Sequence, residues 1–199
     1  MINYIIIALI SYLLGNITGS YILSKLFFKE DIREKGSGNA GTTNMVRTYG
    51  MLPGVFTLLI DFAKGFFALL IASKIDPNLG PYIAGVFVVL GHVWPVFLKF
   101  KGGKGMATSG GIFLFLAPKL LVMALILIVI VCLVFKIMSL ASLIAAVFIP
   151  VASLIMYPEN KPMFIMSLIL CVLVFYSHRS NIKRIIEGNE NKLSIGRRK

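Results

Sequence analysis

Seven apolar runs, at 3–28, 52–74, 79–99, 106–117, 119–135, 137–157 and 161–178, fill most of the 199 residues. Most approach the length of about 20 residues that a helix needs to cross a hydrocarbon core about 30 Å thick. Gly, Pro, Asn or charged residues separate them, as breakers do. A soluble domain is about 45–50% apolar and about 25% charged. This chain is 58% hydrophobic and 14% charged. Lipid must be its solvent. The expected fold class is all-α, a polytopic membrane protein with seven transmembrane helices, one of them short. Run 3–28 is expected to be retained as a span. It lacks a basic start, and it exceeds the apolar core of a cleavable leader, about 7–15 residues.

The stretch 106–135 could form one helix or two. Pro118 and Lys119 stand in its middle. Proline removes a helix hydrogen bond, and lysine is costly at the bilayer centre. Two helices joined at 117–119 are therefore expected. The first would be only about 18 Å long. Such a helix needs a protein-lined, water-accessible recess at one end.

The seven-crossing count also sorts the charge. It puts loops 29–50 and 99–105, Lys136 and the C-terminal tail on one side. That side holds all of the 20 Lys and Arg residues except Lys74, Lys119 and Lys161. Basic residues concentrate on the cytoplasmic side, so the N-terminus is expected outside. Six crossings would move the basic tail to the opposite face. The net charge of +12 then reports orientation, and nucleic acid is not an expected partner. Cys132 and Cys171 lie apart in apolar runs, with no metal-site or redox spacing.

Three polar segments carry the chemistry. Gly36-Ser37-Gly38-Asn39-Ala40-Gly41-Thr42-Thr43-Asn44 precedes Arg47. Small residues let backbone N–H groups approach an anion. Ser37, Asn39, Thr43 and Asn44 add neutral donors, and Arg47 can grip a phosphate with two parallel bonds. Lys101-Gly102-Gly103-Lys104-Gly105 leads into the short helix, whose N-terminus favours an anion. It is not a Walker A loop, because Gly105 follows Lys104. His178-Arg179-Ser180-Asn181 closes the last run. His178 is a candidate general base, with Asn181 near it at i+3.

Inside the spans, Asp61 and Lys64 are expected to form a local ion pair. His92 is expected to be structural. Ser139 and Ser142 either cap the sixth span or serve the site. No cluster suits a metal, and no strand–turn–helix serine elbow is present. Neither histidine is followed five positions later by Asp, since Phe97 and Lys183 stand there. Chemistry on a phosphate-bearing substrate, with little help from an enzyme nucleophile, remains.

GSGNAGTTN at 36–44 with Arg47, KGGKG at 101–105, SLAS at 139–142 and HRSNI at 178–182 resemble the motifs of the bacterial PlsY family, in order and at similar spacing. These are the acyl-phosphate-dependent glycerol-3-phosphate acyltransferases. Thr42 departs from the alanine common there. The resemblance implies a single acyltransferase domain over 1–187, in a bacterial cytoplasmic membrane, followed by a basic tail at 188–199. It implies transfer of a fatty acyl group from acyl phosphate to the 1-position of glycerol 3-phosphate. No metal or organic cofactor is implied. The partners are acyl phosphate, glycerol 3-phosphate and membrane lipid, and a monomer is expected.

On that resemblance, Arg47, Lys104, Ser142 and Asn181 would hold glycerol 3-phosphate. Ser37, Gly103, Lys104 and His178 would steady the acyl phosphate. Asn39, Thr43, Asn44, Lys101 and Gly102 complete the substrate-binding set, and Ser37, Lys104 and His178 are the catalytic candidates. Either His178 or a substrate phosphate would take the hydroxyl proton. The rival reading is an anion or phosphate-ester transporter, since a short helix facing a polar recess also marks transporters. Against it, the motifs fall on one face and no inverted repeat is visible.

Overall fold

Every apolar run becomes helix in the computed structural model, which describes residues 1–192; most of the basic tail expected at 188–199 lies outside the described residues. The helices are α1 (Ile2–Gly15), α2 (Gly19–Phe28), α3 (Thr42–Tyr49), α4 (Met51–Ile75), α5 (Gly80–Val93), α6 (Met106–Leu116), α7 (Pro118–Phe135), α8 (Met138–Met156), α9 (Lys161–Ser177) and α10 (Arg179–Ile186). Short 3-10 turns at Ile32–Glu34 and Val96–Leu98 precede the two glycine-rich loops.

Among the described residues, five segments are long and apolar enough to cross a membrane. They are Ile2–Phe28, Met51–Ile75, Gly80–Leu98, Pro118–Phe135 and Met138–Met156. A sixth arises if α9 and α10, bent by 62°, count together. The seventh apolar segment is the short helix α6. The all-helical membrane fold therefore stands, with α6 at 11 residues, about 16 Å, below spanning length. Pro118 opens α7, where its missing N–H costs nothing.

The contacts group the chain into two units, Met1–Pro118 and Lys119–Lys199. In the first unit α4 is the centre, and α1, α2, α3, α5 and α6 pack on it. Its buried positions Gly54, Thr57, Asp61, Lys64, Ala68 and Ala72 recur every three or four residues, and Gly65 and Leu69 widen the same stripe. In lipid, small residues let helix backbones approach closely. A side chain at Gly65 would strike the Thr108 carbonyl, and one at Gly111 would strike the Phe62 carbonyl, so α4 and α6 touch backbone to backbone. Outward residues such as Leu9, Phe56 and Leu59 stay large, apolar and exposed. They suit a lipid surround.

The first span is broken, which its apolar pattern did not announce. α1 ends at Gly15 and α2 starts at Gly19. The break turns the Ile17 carbonyl toward Lys64, whose Nζ donates to it at 2.6 Å. The Gly19 N–H points at Asp61 Oδ1 across 3.5 Å. Charged groups of α4 thus serve the two helix ends that the break leaves open.

In the second unit α8 packs against α9, and the buried Ser153 and Ser167 hydroxyls meet across them at 3.4 Å.

Gly111→Leu should force α4 and α6 apart and cost about 1–3 kcal/mol, the usual range for overpacking. Thermal unfolding in detergent should record a Tm several degrees below that of the parent protein.

Candidate functional site

The first polar segment is a built loop rather than a linker. Beneath it, Ile32, Ala40 and Met45 form an apolar nucleus with Leu23 and Tyr49 against it. Asn44 is buried and braces the loop from inside. Its Oδ1 accepts from the Ser37 N–H at 2.9 Å, and its Nδ2 donates to the carbonyls of Ile32 (3.1 Å) and Lys35 (3.0 Å). Ser37 and Arg47 remain exposed, while Asn39 and Thr43 are half-buried. The Arg33 side chain donates to the Asp31 carboxylate from Nη2 (Oδ2, 2.7 Å) and from Nε (Oδ1 at 3.0 Å, Oδ2 at 3.2 Å). The Arg33 guanidinium holds the Asp31 carboxyl below the ordinary carboxylate range.

The second loop folds back on the end of α5. Gly102 N–H donates to the Val93 carbonyl and Gly103 N–H to that of His92, both at 3.1 Å. These two glycines therefore cap α5 with their amides. Their missing side chains supply close approach: a Cβ at Gly103 would overlap the His92 ring and stand 2.8 Å from the Ala40 carbonyl. The two loops of this unit are thus in contact. Arg33 adds a second tie, its Nη1 donating to the Leu98 carbonyl at 2.8 Å. Lys101 is exposed and Lys104 half-buried. α6 starts after Gly105, which has no side chain to cap it, so its first N–H groups sit at the positive end of the helix dipole.

Under this loop lies a charged cluster that sequence reasoning saw only in part. The expected ion pair forms, with Lys64 Nζ 2.8 Å from Asp61 Oδ1. His92 joins it, its Nδ1 2.7 Å from the same Nζ. Their separation along the chain, 28 residues from Lys64 to His92, hides the link from any local spacing rule.

The second unit holds Ser142, His178 and Asn181. His178 stands at the junction of α9 and α10 and is buried. Its Nδ1 lies 2.8 Å from the Val174 carbonyl. A carbonyl only accepts, so Nδ1 carries a proton and donates it there. Glu190, absent from the sequence-derived set, gathers this region. Its Oε1 accepts from Asn181 Nδ2 at 2.7 Å and from Ser139 Oγ at 3.1 Å, and its Oε2 accepts from Arg184 Nε at 2.7 Å. Ser139 therefore anchors Glu190 instead of capping α8. Ser142, one turn further, donates to the Met138 carbonyl at 3.0 Å. The signal available for Glu190 was an acid within a basic stretch, which needs cationic or donor partners.

The first unit thus carries Ser37, Asn39, Lys101, Gly102, Gly103 and Lys104 on two touching loops, and Thr43, Asn44 and Arg47 on α3, which follows the first loop. The second carries Ser142 on α8, His178 at the junction of α9 and α10, and Asn181 on α10. Both are rich in donors and cations, which suits phosphate-bearing ligands. Among the described residues no group of three or more His, Cys, Asp or Glu could hold a metal ion.

The family model described as glycerol-3-phosphate acyltransferase matches residues 5–188. Glycerol-3-phosphate acyltransferase 2 of Bacillus anthracis is 40% identical over 189 residues, covering 95% of this chain and 98% of that protein. The glycerol-3-phosphate acyltransferase of Clostridioides difficile (strain 630) is 43% identical over 203 residues, with 99% and 98% covered. The crystal structure of PlsY, an integral membrane glycerol 3-phosphate acyltransferase, is similar in its glycerol 3-phosphate form. It has a TM-score of 0.90 at 33% identity, with 96% of each chain covered. Its lysophosphatidic acid form gives 0.87 at 32%, covering 96% of this chain and 95% of that one.

Burial opposes the charge on Glu190, but hydrogen bonds from Arg184, Asn181 and Ser139 outweigh it and hold the carboxyl below its ordinary range. A depressed folded-state pKa contributes stability above the unfolded value, about 4.3, and that contribution is lost as pH falls through the folded value. Glu190→Gln should therefore unfold several degrees below the parent at pH 7. The gap should close as the pH falls below about 4, as read by thermal unfolding across pH in detergent.

Proposed function

The chain belongs to the glycerol-3-phosphate acyltransferase family, and on that premise we propose that it moves a fatty acyl group from acyl phosphate to the 1-position of sn-glycerol 3-phosphate. The products are lysophosphatidic acid and inorganic phosphate, in the first acylation of phospholipid synthesis. It is a multi-pass membrane enzyme. The single observation that carries the site reading is the contact between two glycine-rich loops that bear Ser37, Lys101 and Lys104, the first of them leading into α3 with Arg47.

Acyl phosphate is a mixed anhydride with a good leaving group. The glycerol hydroxyl oxygen attacks the acyl carbon, the carbon–oxygen bond to phosphate breaks, and phosphate departs with the electron pair. No acyl-enzyme, metal or organic cofactor enters this step. The difficulty is aligning two anions that repel each other, which fixed cations and donors relieve. Arg47, Lys104, Ser142 and Asn181 hold glycerol 3-phosphate. Ser37, Lys104 and His178 steady the acyl phosphate and the developing charge, and Gly103, its N–H engaged by the His92 carbonyl, contributes the close approach that its missing side chain allows. Asn39, Thr43, Lys101 and Gly102 complete the binding set, and Asn44 serves it by shaping the loop under Ser37. The hydroxyl proton passes to His178 or to a substrate phosphate. The contact of Nδ1 with the Val174 carbonyl supports His178 by holding its ring in one orientation.

The distribution of Lys and Arg supports an external N-terminus and a site on the cytoplasmic side. The family match over 5–188 supports residues 1–187 as one acyltransferase domain, with 188–199 a basic tail. The enzyme is read as a monomer that meets its lipid product in the membrane.

Purified protein given synthetic acyl phosphate and labelled glycerol 3-phosphate should form labelled lysophosphatidic acid. Label retained unconverted inside sealed vesicles would instead identify a transporter. Ser37→Ala, Lys104→Ala and His178→Ala should each lower turnover by about 10²-fold or more. Near-parental turnover in all three would refute the site assignment.

A further inference from the structure

Resting on the acyltransferase reading above, we propose that Asp61, Lys64 and His92 form a buried positioning device for the site. The ion pair fixes the His92 ring, and the ring sets where Gly103, and with it Lys104, stands.

The geometry determines the hydrogens. An ammonium carries three protons and no acceptor. Lys64 Nζ has three acceptors in reach: the Ile17 carbonyl at 2.6 Å, Asp61 Oδ1 at 2.8 Å and His92 Nδ1 at 2.7 Å. His92 Nδ1 must therefore accept, and the ring proton sits on Nε2. The alternative, Nδ1–H donating to Asp61, needs a closer approach than the 3.6 Å between those atoms. The ring is held at Nδ1 by a cation that is itself fixed on two further sides. It has no latitude to turn.

The opposite edge of the ring carries the consequence. Nε2 lies against Gly103, where a Cβ would overlap it. The same Cβ position is 2.8 Å from the Ala40 carbonyl, so Gly103 is layered between the ring and the first loop. The Gly103 N–H donates to the backbone carbonyl of His92 itself at 3.1 Å. Residue 92 thus holds residue 103 by both backbone and side chain. Lys104 is the next residue, so its starting point is set by the ring. None of the three touches substrate in this proposal, and each acts through the loop.

The reach of the side chain separates positioning from mere burial of charge. His92→Asn places an amide oxygen near Nδ1 and can still accept from Lys64, but it is too short to meet Gly103. Gly103→Ala pushes the loop off the ring from the other side. Each, in folded protein with the parental Tm, should lower kcat for acylation at least tenfold and raise KM for glycerol 3-phosphate. The combined variant should recover at least threefold over Gly103→Ala, because the shorter side chain makes room for the added methyl. Unchanged kcat and KM in His92→Asn would overturn the proposal. So would losses that simply multiply in the combined variant.

Where His92→Asn yields no folded protein, His92→Gln takes its place, since its amide nitrogen reaches toward the Nε2 position. Turnover within threefold of the parent supports positioning, and a tenfold loss in folded protein overturns it. The parent enzyme is assayed in parallel with acyl phosphate and glycerol 3-phosphate. A parent that makes no lipid refutes the acyltransferase reading itself, whereas an active parent with unaffected variants refutes only the positioning role.

Discussion

One ammonium group, on Lys64, organises the first unit. It lies near the middle of α4 with its side chain 3% exposed, against an Asp61 side chain 1% exposed. A charge at that depth is expensive, by about 2.5–3.5 kcal/mol on insertion scales and more on an isolated helix. It can be kept only if every proton finds an acceptor. Asp61 provides one and His92 another. The third is a main-chain carbonyl that an intact helix would have used for itself, so the first span must open at Ile17 to present it. The broken helix is therefore a condition of burying the lysine. The arrangement is also favourable in sign, with the cation at the C-terminal end of α1 and the carboxylate at the N-terminus of α2. Removing one partner would strand the other, at about 3–5 kcal/mol.

From that centre the structure builds upward to the loops. His92, held from below, supports Gly103, and Gly103 abuts Ala40 of the first loop. The amides of Gly102 and Gly103 are already engaged by the end of α5. In the proposed mechanism the anions are therefore met by the side chains around these glycines, those of Ser37, Arg47, Lys101 and Lys104. The glycines matter because they let a loop lie flat on a helix end, which no residue with a Cβ could do at 103.

Much of this was legible in the sequence, and the remainder was hidden for physical reasons. Hydrophobic runs in lipid have one outcome, so helices α4, α6, α7, α8 and α9 follow their bounds to within a residue or two, while α5 stops at Val93, before Pro95 and a 3-10 turn. Pro118 divided α6 from α7 as its missing N–H requires. The break at 16–18 was less visible, because Gly15, Asn16 and Gly19 sit inside an otherwise apolar run. Its cause lies at Lys64, 47 residues away. His92 read as structural because its partners belong to another helix and another loop. Ser139 carried two readings until Glu190, 51 residues on, took its hydroxyl.

The polar motifs depend on two kinds of residue that spacing cannot separate. Some are turned outward, as Ser37, Arg47 and Lys101 are. Others have their polar atoms engaged internally, and each motif depends on one of them. Asn44, 1% exposed, ties three backbone groups of the first loop. His92, 3% exposed, carries the second loop. Glu190, with its side chain 5% exposed, draws together Ser139, Asn181 and Arg184. Direct transfer, as proposed, draws its rate from alignment and fixed charge, and fixed charge requires side chains that cannot relax. Each brace is a polar group surrounded by its own hydrogen-bond partners, because only such a group is held in direction as well as in place. Apolar packing alone would fill the same volume, but it would leave the loops free to turn.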